Sequence, residues 1–241
     1  MYKNKTFTKI IDAYTSEGSG IARIDGYAVF IPGAIAGDTV SFLVIKENKT
    51  YGIGKLLEII APSPDRIESP CPSFPKCGGC SLMSTSYGAQ KEFKRKKAED
   101  ALRRIGGFKD VSVGAVHCGE PYKYRNKAQF PVMLDGNKIN IGFFAPHSHR
   151  VVPNGSCPLL DERINAVANE ICSWCDSNGI PVYNEESHSG LLRHICVRAG
   201  KEEIGVAIVV KKHIKNIESL AALLAGKFPQ ITSVAENINN E

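Results

Sequence analysis

Residues 71–80 read CPSFPKCGGC and separate two regions of different sequence pattern. Three cysteines this close together can form a disulfide, a redox pair or part of a metal site. Cys77 and Cys80 form a Cys-x2-Cys pair, which can place two sulfurs on one ion. The glycines between them allow a tight turn with N–H groups toward the sulfurs. A fourth cysteine, Cys157 in GSCPL, lies far downstream.

The spacing of Cys71, Cys77, Cys80 and Cys157 favours an iron–sulfur site. Structural zinc usually takes two Cys-x2-Cys pairs, whereas three clustered cysteines and a remote fourth resemble iron–sulfur ligation. Zinc, with a histidine such as His147 or His149 as a ligand, and no metal at all remain open alternatives.

Composition narrows the class of protein. The chain has 241 residues, of which 43% are hydrophobic and 23% charged, so it is long enough for one large domain or two smaller ones. No apolar run approaches the roughly 20 residues that span a bilayer, and the N-terminal MYKNKTFTK has no apolar export region. We therefore expect a cytoplasmic protein without membrane contact, whose eight cysteines are reduced. The net charge of +5 weakly favours an acidic partner such as RNA.

Residues 1–60 are predicted to form a small β-barrel. Short runs rich in Val, Ile, Phe and Tyr alternate with turns that contain Gly, Asp and Asn. Five short strands in sixty residues suggest a closed barrel of the OB kind, which either binds single-stranded nucleic acid or acts as a spacer. Residues 61–87 are predicted to be a linker, with three prolines in its first ten positions, followed by the cysteine cluster.

Residues 88–241 are predicted to form a basic helix and an α+β domain with an antiparallel sheet. In the helix, predicted over 88–108, the four residues Ala98, Ala101, Leu102 and Ile105 have helical spacing. Residues 91–104 carry seven basic side chains against three acidic ones, a pattern that suits a solvated face better than a phosphate-binding one. Further helices are predicted over 161–178 and 216–227, and a hairpin near Gly200.

Basic, aromatic and amide side chains are concentrated at 123–132, in KYRNKAQFPV. Such a mixture offers cations for phosphates, amides for base edges and rings for stacking, although a charged edge strand would look similar. The predicted RNA-binding residues are Tyr124, Arg125, Asn126, Lys127 and Gln129, together with His149 and Arg193 further along the chain.

The remaining cysteines and motifs indicate no reaction centre. Cys172 and Cys175 continue the apolar stripe of the helix predicted over 161–178, so we expect them in the core. Cys118 and Cys196 look like packing residues of strands. No dinucleotide-binding loop, P-loop or paired-carboxylate motif is present in its expected context. We therefore assign no catalytic residue and no cofactor-binding residue.

Several segments, in order along the chain, resemble the RNA (uracil-5-)-methyltransferase family. They are EGSGIARIDGYAVFIPGAIAGDTV, SPCPSFPKCGGCSLMSTSYGAQKEFKRKKAEDALRRIGG, YRNKAQFPV, IGFFAPHSHRVV, SCPLL and LLRHICVRAG. The first of these resembles the TRAM domain that such enzymes carry. The resemblance implies a [4Fe-4S] cluster on Cys71, Cys77, Cys80 and Cys157.

The resemblance also implies a methyltransferase that uses S-adenosylmethionine and acts on RNA, with 23S ribosomal RNA preferred and transfer RNA as the alternative substrate. We expect the protein to be a monomer. In that family the cofactor, the cysteine nucleophile and the base lie in a C-terminal Rossmann-like domain, which matches nothing in these residues. We therefore expect an inactive N-terminal part of such an enzyme. The alternative is a free-standing RNA-binding protein with a structural iron–sulfur or zinc site and no catalysis.

Overall fold

The computed structural model describes residues 2–240, which form two compact units. The first unit comprises Met1–Pro75 and Cys80–Cys118, and the second comprises Lys76–Gly79 and Gly119–Glu241. This division differs from the predicted limits at residues 60 and 87, because the basic helix lies in the first unit instead of the last domain.

The first unit is built on a six-stranded mixed sheet with the order β1-β5-β6-β4-β3-β2. Its long strands β5 and β6 contain three register shifts, which bend the sheet. The strands are β1 (Thr6–Ile10), β2 (Ala13–Tyr14), β3 (Gly20–Ile24), β4 (Tyr27–Ile31), β5 (Thr39–Glu47) and β6 (Tyr51–Ala61). Alternate residues point inward and form a single apolar core, which includes Val29, Ile31 and the fully buried Phe42.

A buried ion pair ties the sheet to the segment that leads to Cys71. Asp38 is fully buried and accepts hydrogen bonds from the backbone N–H groups of Ile35 and Ser63, both at 2.9 Å. Arg66 donates to the same carboxylate through Nε at 3.0 Å and through Nη2 at 2.5 Å. A further bond from Arg66 to the carbonyl of Gly33, at 2.9 Å, completes its contacts with the sheet. Both carboxylate oxygens of Asp38 therefore accept hydrogen bonds.

Helix α1 (Tyr87–Arg104) begins at the cap Ser86, whose hydroxyl accepts from the N–H of Ala89. The stripe predicted to be apolar lies exposed, and the helix has no buried residue. The ring of Phe93 instead packs edge-on against the ring of Tyr14, with the two ring centres 5.1 Å apart. Lys97 Nζ donates to the carbonyl of Ser16 at 2.7 Å. The helix is thus held to the first unit by a face that its periodicity did not predict.

The second unit contains a six-stranded sheet with the order β12-β11-β10-β7-β8-β9 and two helices. The strands are β7 (Lys127–Asp135), β8 (Lys138–Phe144), β9 (Val151–Pro153), β10 (Leu192–Ala199), β11 (Ile204–Val210) and β12 (Ile231–Ile238). Helix α2 (Glu162–Ser177) packs against β8 and β10, and α3 (Ile217–Lys227) packs against β12. The predicted hairpin is confirmed as β10 and β11, which pair antiparallel.

The predicted antiparallel pairing is confirmed for four of the five strand pairs of this sheet, but β12 runs parallel to β11, so the sheet is not purely antiparallel. The two strands are joined through α3. A connection of that length returns the chain to the end of the sheet at which β11 begins, which a tight turn cannot do. The result is a mixed sheet in an α+β unit.

None of the helices described between residues 2 and 240 is long and apolar enough to cross a membrane.

Candidate nucleic-acid interface

One face of the second sheet is packed with apolar side chains and the other is not. Phe130, Ile195 and Ile208 are fully buried on the face that carries α2. Because successive side chains of a strand point to opposite faces, their neighbours lie on the other side. We call that side the outer face and define it by eight residues that are all half-buried or exposed: Lys127, Gln129, Cys196, Arg198, Gly205, Ala207, Ser233 and Ala235.

The outer face combines basic, amide and small side chains. Lys127 lies directly opposite Arg198, and Gln129 lies opposite Cys196 in the same ladder. None of the eight residues is acidic. Residues directly opposite one another in an antiparallel pair have neighbouring side chains, so the two positive charges form one patch. A basic surface with an amide suits a phosphate backbone and base edges.

Hydrogen bonds of the backbone, and one of the Arg125 side chain, hold the residues just before β7 in place. The Arg125 N–H donates to the carbonyl of Leu159 at 2.8 Å, and its Nη2 donates to the carbonyl of Gly79 at 3.1 Å. The carbonyl of Asn126 accepts from the N–H of Ala199 at 2.9 Å. Tyr124 is exposed. Among these three predicted RNA-binding residues, Arg125 thus has a local contact with the Cys77–Cys80 turn, while the side chains of Tyr124 and Asn126 are accessible.

His149 and Arg193 lie beside a loop that sequence analysis did not single out. The loop spans 182–192, and its ends are joined by a bridge between Val182 and Leu192. Arg193 has its guanidinium 4.4 Å from the centre of the Tyr183 ring, and His149 Nδ1 is 3.2 Å from a carboxylate oxygen of Glu185. Tyr183 was missed because it carries no motif and becomes adjacent to a cation only in the folded sheet.

His194, which follows in β10, adds little charge to this region. Burial and the neighbouring Arg193 lower the pKa of its imidazole, and Glu185 opposes them only in part. The ring is therefore neutral at pH 7. The positive charge near this end of the sheet comes from arginine and lysine.

The four predicted metal ligands come equally from the two units. Cys71 and Cys80 belong to the first unit, and Cys77 and Cys157 to the second. Cys71, Cys77 and Cys157 are buried, and Cys80 is half-buried. Within residues 2–240 the structure groups no three His, Cys, Asp or Glu side chains that could hold a metal ion. The cluster therefore stays a prediction from spacing and resemblance.

The glycines of the cysteine stretch have structural roles that fit a sulfur site. The Gly79 N–H donates to Cys77 Sγ at 3.4 Å, which is the type of bond that stabilises a thiolate ligand. The Gly78 N–H donates to the carbonyl of Phe144 at 2.9 Å. A Cβ at Gly78 would lie 2.9 Å from that same oxygen, so a side chain does not fit. The local chemistry around Cys77 is thus compatible with a metal–sulfur ligand.

Cys172 and Cys175 are core residues, as predicted. Both are buried in α2 together with Ile164, Val167 and Ile171. Burial, with smaller contributions from neighbouring groups, raises the pKa of each thiol to about 12. Thiols with such a pKa stay protonated at neutral pH and are poor nucleophiles. Cys118 is exposed and lies outside the strands, contrary to the expectation that it packs within one.

The two units therefore define a class of protein: one unit is a bent β-sheet module, and the other is an α+β unit whose sheet has a basic outer face. Comparison with known proteins narrows this class. Residues 1–57 match the TRAM domain family.

Relatives match along nearly the whole chain. An uncharacterized RNA methyltransferase of Clostridium tetani is 40% identical over 243 aligned residues, which cover 99% of this chain and 53% of the relative. A protein of the same description from Halalkalibacterium halodurans is 37% identical, with coverages of 98% and 53%. The chain thus spans about half the length of the curated relatives it matches.

A solved structure shares the fold. The tRNA (uracil-54, C5)-methyltransferase of Pyrococcus abyssi, in complex with S-adenosyl-L-homocysteine, superposes with a TM-score of 0.68 and 23% identity. The match covers 88% of this chain and 48% of that structure. At this identity the likeness establishes a common fold.

These matches also correct the predicted fold class. The description of the chain as a remnant without a Rossmann-like methyltransferase domain is overturned by the coverage, because the relatives match 98–99% of this chain. That description rested on where the sequence ends, and no conclusion about a missing domain or lost activity follows from that position.

Proposed function

We propose that this protein acts in the S-adenosylmethionine-dependent methylation of RNA at uracil C5. The observation that carries the proposal is the continuous similarity to RNA methyltransferases over 98–99% of the chain, together with the TRAM match. The fold shared with a tRNA uracil methyltransferase supports the same assignment. S-adenosylmethionine would supply the methyl group.

The described residues contribute RNA binding in this proposal. The outer face supplies Lys127 and Arg198 for phosphates and Gln129 for a base edge, and Tyr124, three residues before β7, offers an exposed ring. Enzymes that modify a base must first take it out of its stack. Unstacking the base costs free energy, and a protein that binds the flanking nucleotides by charge and stacking offsets part of this cost.

The proposed cofactor of these residues is a [4Fe-4S] cluster held by Cys71, Cys77, Cys80 and Cys157. The burial of three of the four thiols and the N–H of Gly79 directed at Cys77 support it. When bound, the cluster would act as a structural brace, since it would join ligands from distant parts of the chain. Within the chain itself, Gly78 and Gly79 shape the turn and Arg125 holds it through the Gly79 carbonyl.

The cluster is tested by anaerobic purification with an absorption spectrum and iron and sulfide assays. We expect four irons per chain, and loss of iron in Cys157→Ser but not in Cys118→Ser, an exposed cysteine outside the proposed set. A colourless protein that contains zinc and no acid-labile sulfide would replace the cluster with a zinc site.

The function is tested by disrupting the gene in its host and measuring 5-methyluridine by nucleoside mass spectrometry. We expect the modification to disappear from one RNA class and to return on complementation. Ribosomal RNA is the preferred substrate and transfer RNA the alternative, so both are purified and digested separately. If the chain binds RNA but 5-methyluridine is unchanged in both, the protein is a non-catalytic RNA-binding protein.

A further inference from the structure

Arg193 occupies an irregular position in β10. The pairing of β10 with β11 shifts register between Leu192, which faces Val210, and His194, which faces Val209. Arg193 is the extra residue of this bulge. A bulge takes a side chain out of the regular alternation and redirects it, and bulges are common beside functional sites. Here the redirected side chain is a guanidinium.

The guanidinium of Arg193 lies over an aromatic ring and is anchored at its edge. Its central carbon is 4.4 Å from the centre of the Tyr183 ring, and Nη1 donates to the carbonyl of Asn239 at 3.1 Å. A second cation, Lys211 Nζ, is 5.5 Å from the same ring centre. Stacking on one face and a hydrogen bond at one edge restrict the rotation of the planar group.

The loop that carries Tyr183 is well braced. The Tyr183 N–H donates to the carbonyl of Leu192 at 2.8 Å, and its hydroxyl lies 3.1 Å from His188 Nδ1. Asn184 Oδ1 accepts from the N–H groups of Glu186 and Ser187 at 2.9 and 2.8 Å. The ring is therefore positioned before any ligand arrives, so ordering the platform costs little on binding.

Resting on the proposed function in RNA methylation, we propose that Arg193, stacked on Tyr183, is a platform for one unstacked nucleobase of the RNA. Bases in single-stranded RNA stack on aromatic rings and on arginine planes. A base on the side of the guanidinium away from Tyr183 would extend the stack to three layers. Lys211, whose Nζ also donates to the carbonyl of His188, adds a second positive charge at the same ring.

The planar shape of the platform favours a base over the carboxylates of an acidic protein segment. Glu185 and Glu186 lie in the same loop, and Glu185 is 3.2 Å from His149, so acidic groups already flank the platform. These carboxylates repel the phosphates of RNA and the carboxylates of a peptide alike, so charge does not distinguish the two ligands. Stacking of a base depends on the plane of the guanidinium and much less on its net charge. The expected ligand is therefore a base, and an acidic peptide is an outcome of the test.

The test uses the 241-residue chain and single-stranded RNA that carries 2-aminopurine, whose fluorescence is quenched on stacking. Arg193→Lys retains the charge and removes the plane, so we expect binding to weaken at least fivefold while the salt dependence stays unchanged. Tyr183→Leu should have a similar effect and abolish the quenching, whereas Tyr183→Phe should behave like the wild type. Lys201→Ala, an exposed lysine of the same unit, controls for the loss of one charge.

The outcomes separate the inference from the proposed function. If Arg193→Lys binds as tightly as the wild type, the contact is one of charge alone and the platform is refuted. If Tyr183→Phe is as weak as Tyr183→Leu, the ring acts through its hydroxyl and the platform is likewise refuted. Competition by poly-glutamate but not by RNA would identify the peptide ligand and refute it too. If the wild-type chain binds no RNA at low salt, the proposed function itself fails. Circular dichroism of each variant checks that the loop substitutions leave the fold intact.

Discussion

Replacing Asp38 with alanine is expected to destabilise the first unit by about 3–5 kcal/mol. The substitution leaves Arg66, whose side chain is only 15% exposed, without its carboxylate partner. Breaking a buried ion pair from one side typically costs about 3–5 kcal/mol. The amides of Ile35 and Ser63 also lose their acceptor, at about 1 kcal/mol or more each. The bond from Arg66 to the Gly33 carbonyl survives and offsets part of this loss.

The assay is urea unfolding followed by far-UV circular dichroism, with hydrogen exchange to locate the effect. Exchange should accelerate in peptides around Ser63 and β5, while peptides of α2 around Trp174 serve as an internal reference. Asp12→Asn, an exposed aspartate of the same unit, should change the free energy of unfolding by no more than about 0.5 kcal/mol. A loss below about 1 kcal/mol in Asp38→Ala would refute the assignment of this pair as the fastening between the sheet and the cysteine segment.

The same carboxylate predicts a pH dependence. Burial raises the pKa of Asp38, but hydrogen bonds from Arg66 and from the amides of Ser63 and Ile35 outweigh it, so the pKa lies below its usual value. Ionised Asp38 therefore stabilises the fold above the unfolded pKa of about 3.9, and the contribution is lost as the pH falls through the lower folded pKa. Asp38→Asn should show a shallower loss of stability below pH 4 than the wild type. Equal slopes in the two proteins would contradict this account.

Three further predictions concern the cysteine stretch, the outer face and the core thiols. Gly78→Ala should lower the iron content and the melting temperature, because the added Cβ would lie 2.9 Å from a carbonyl oxygen. Gly114→Ala should change neither, since no atom lies within 4 Å of the Cβ added there. Equal iron content in the two variants would contradict the role of Gly78. Lys127→Ala should weaken single-stranded RNA binding and reduce the slope of log K against log salt by about 0.7, since one phosphate contact is lost; an unchanged slope would remove it from the interface. Cys175, whose pKa burial raises to about 12, should resist iodoacetamide at pH 8 in the folded chain while the exposed Cys118 reacts, as mass spectrometry of the labelled peptides would show; rapid labelling of Cys175 would contradict its burial.

Much of the local structure could be predicted from residue patterns. The predicted helices at 161–178 and 216–227 correspond to α2 (Glu162–Ser177) and α3 (Ile217–Lys227). The burial of Cys172 and Cys175 followed from helical spacing, because residues three or four positions apart share a face. These features depend on neighbours in sequence, so the sequence contains most of the information that determines them.

Helix α1 shows where periodicity misleads. Ala98, Ala101 and Leu102 have the spacing of a buried stripe, yet they are exposed, and Phe93 makes the contact with the first unit. Spacing identifies which residues share a face, but the choice of the face that packs depends on the surface it meets. That surface is formed by residues more than seventy positions earlier, such as Tyr14.

The sequence by itself determined the alternation of the strands, two helices, the four cysteines with metal-ligand spacing and the resemblance to RNA methyltransferases. Only the tertiary structure decided that β12 joins its sheet parallel to β11, that Asp38 meets Arg66, and that a bulge sets Arg193 on the ring of Tyr183. The physical reason is the distance along the chain over which each interaction acts. Backbone propensity and side-chain periodicity act over a few residues, whereas strand order, register and ion pairs between distant segments minimise the free energy of the whole chain at once.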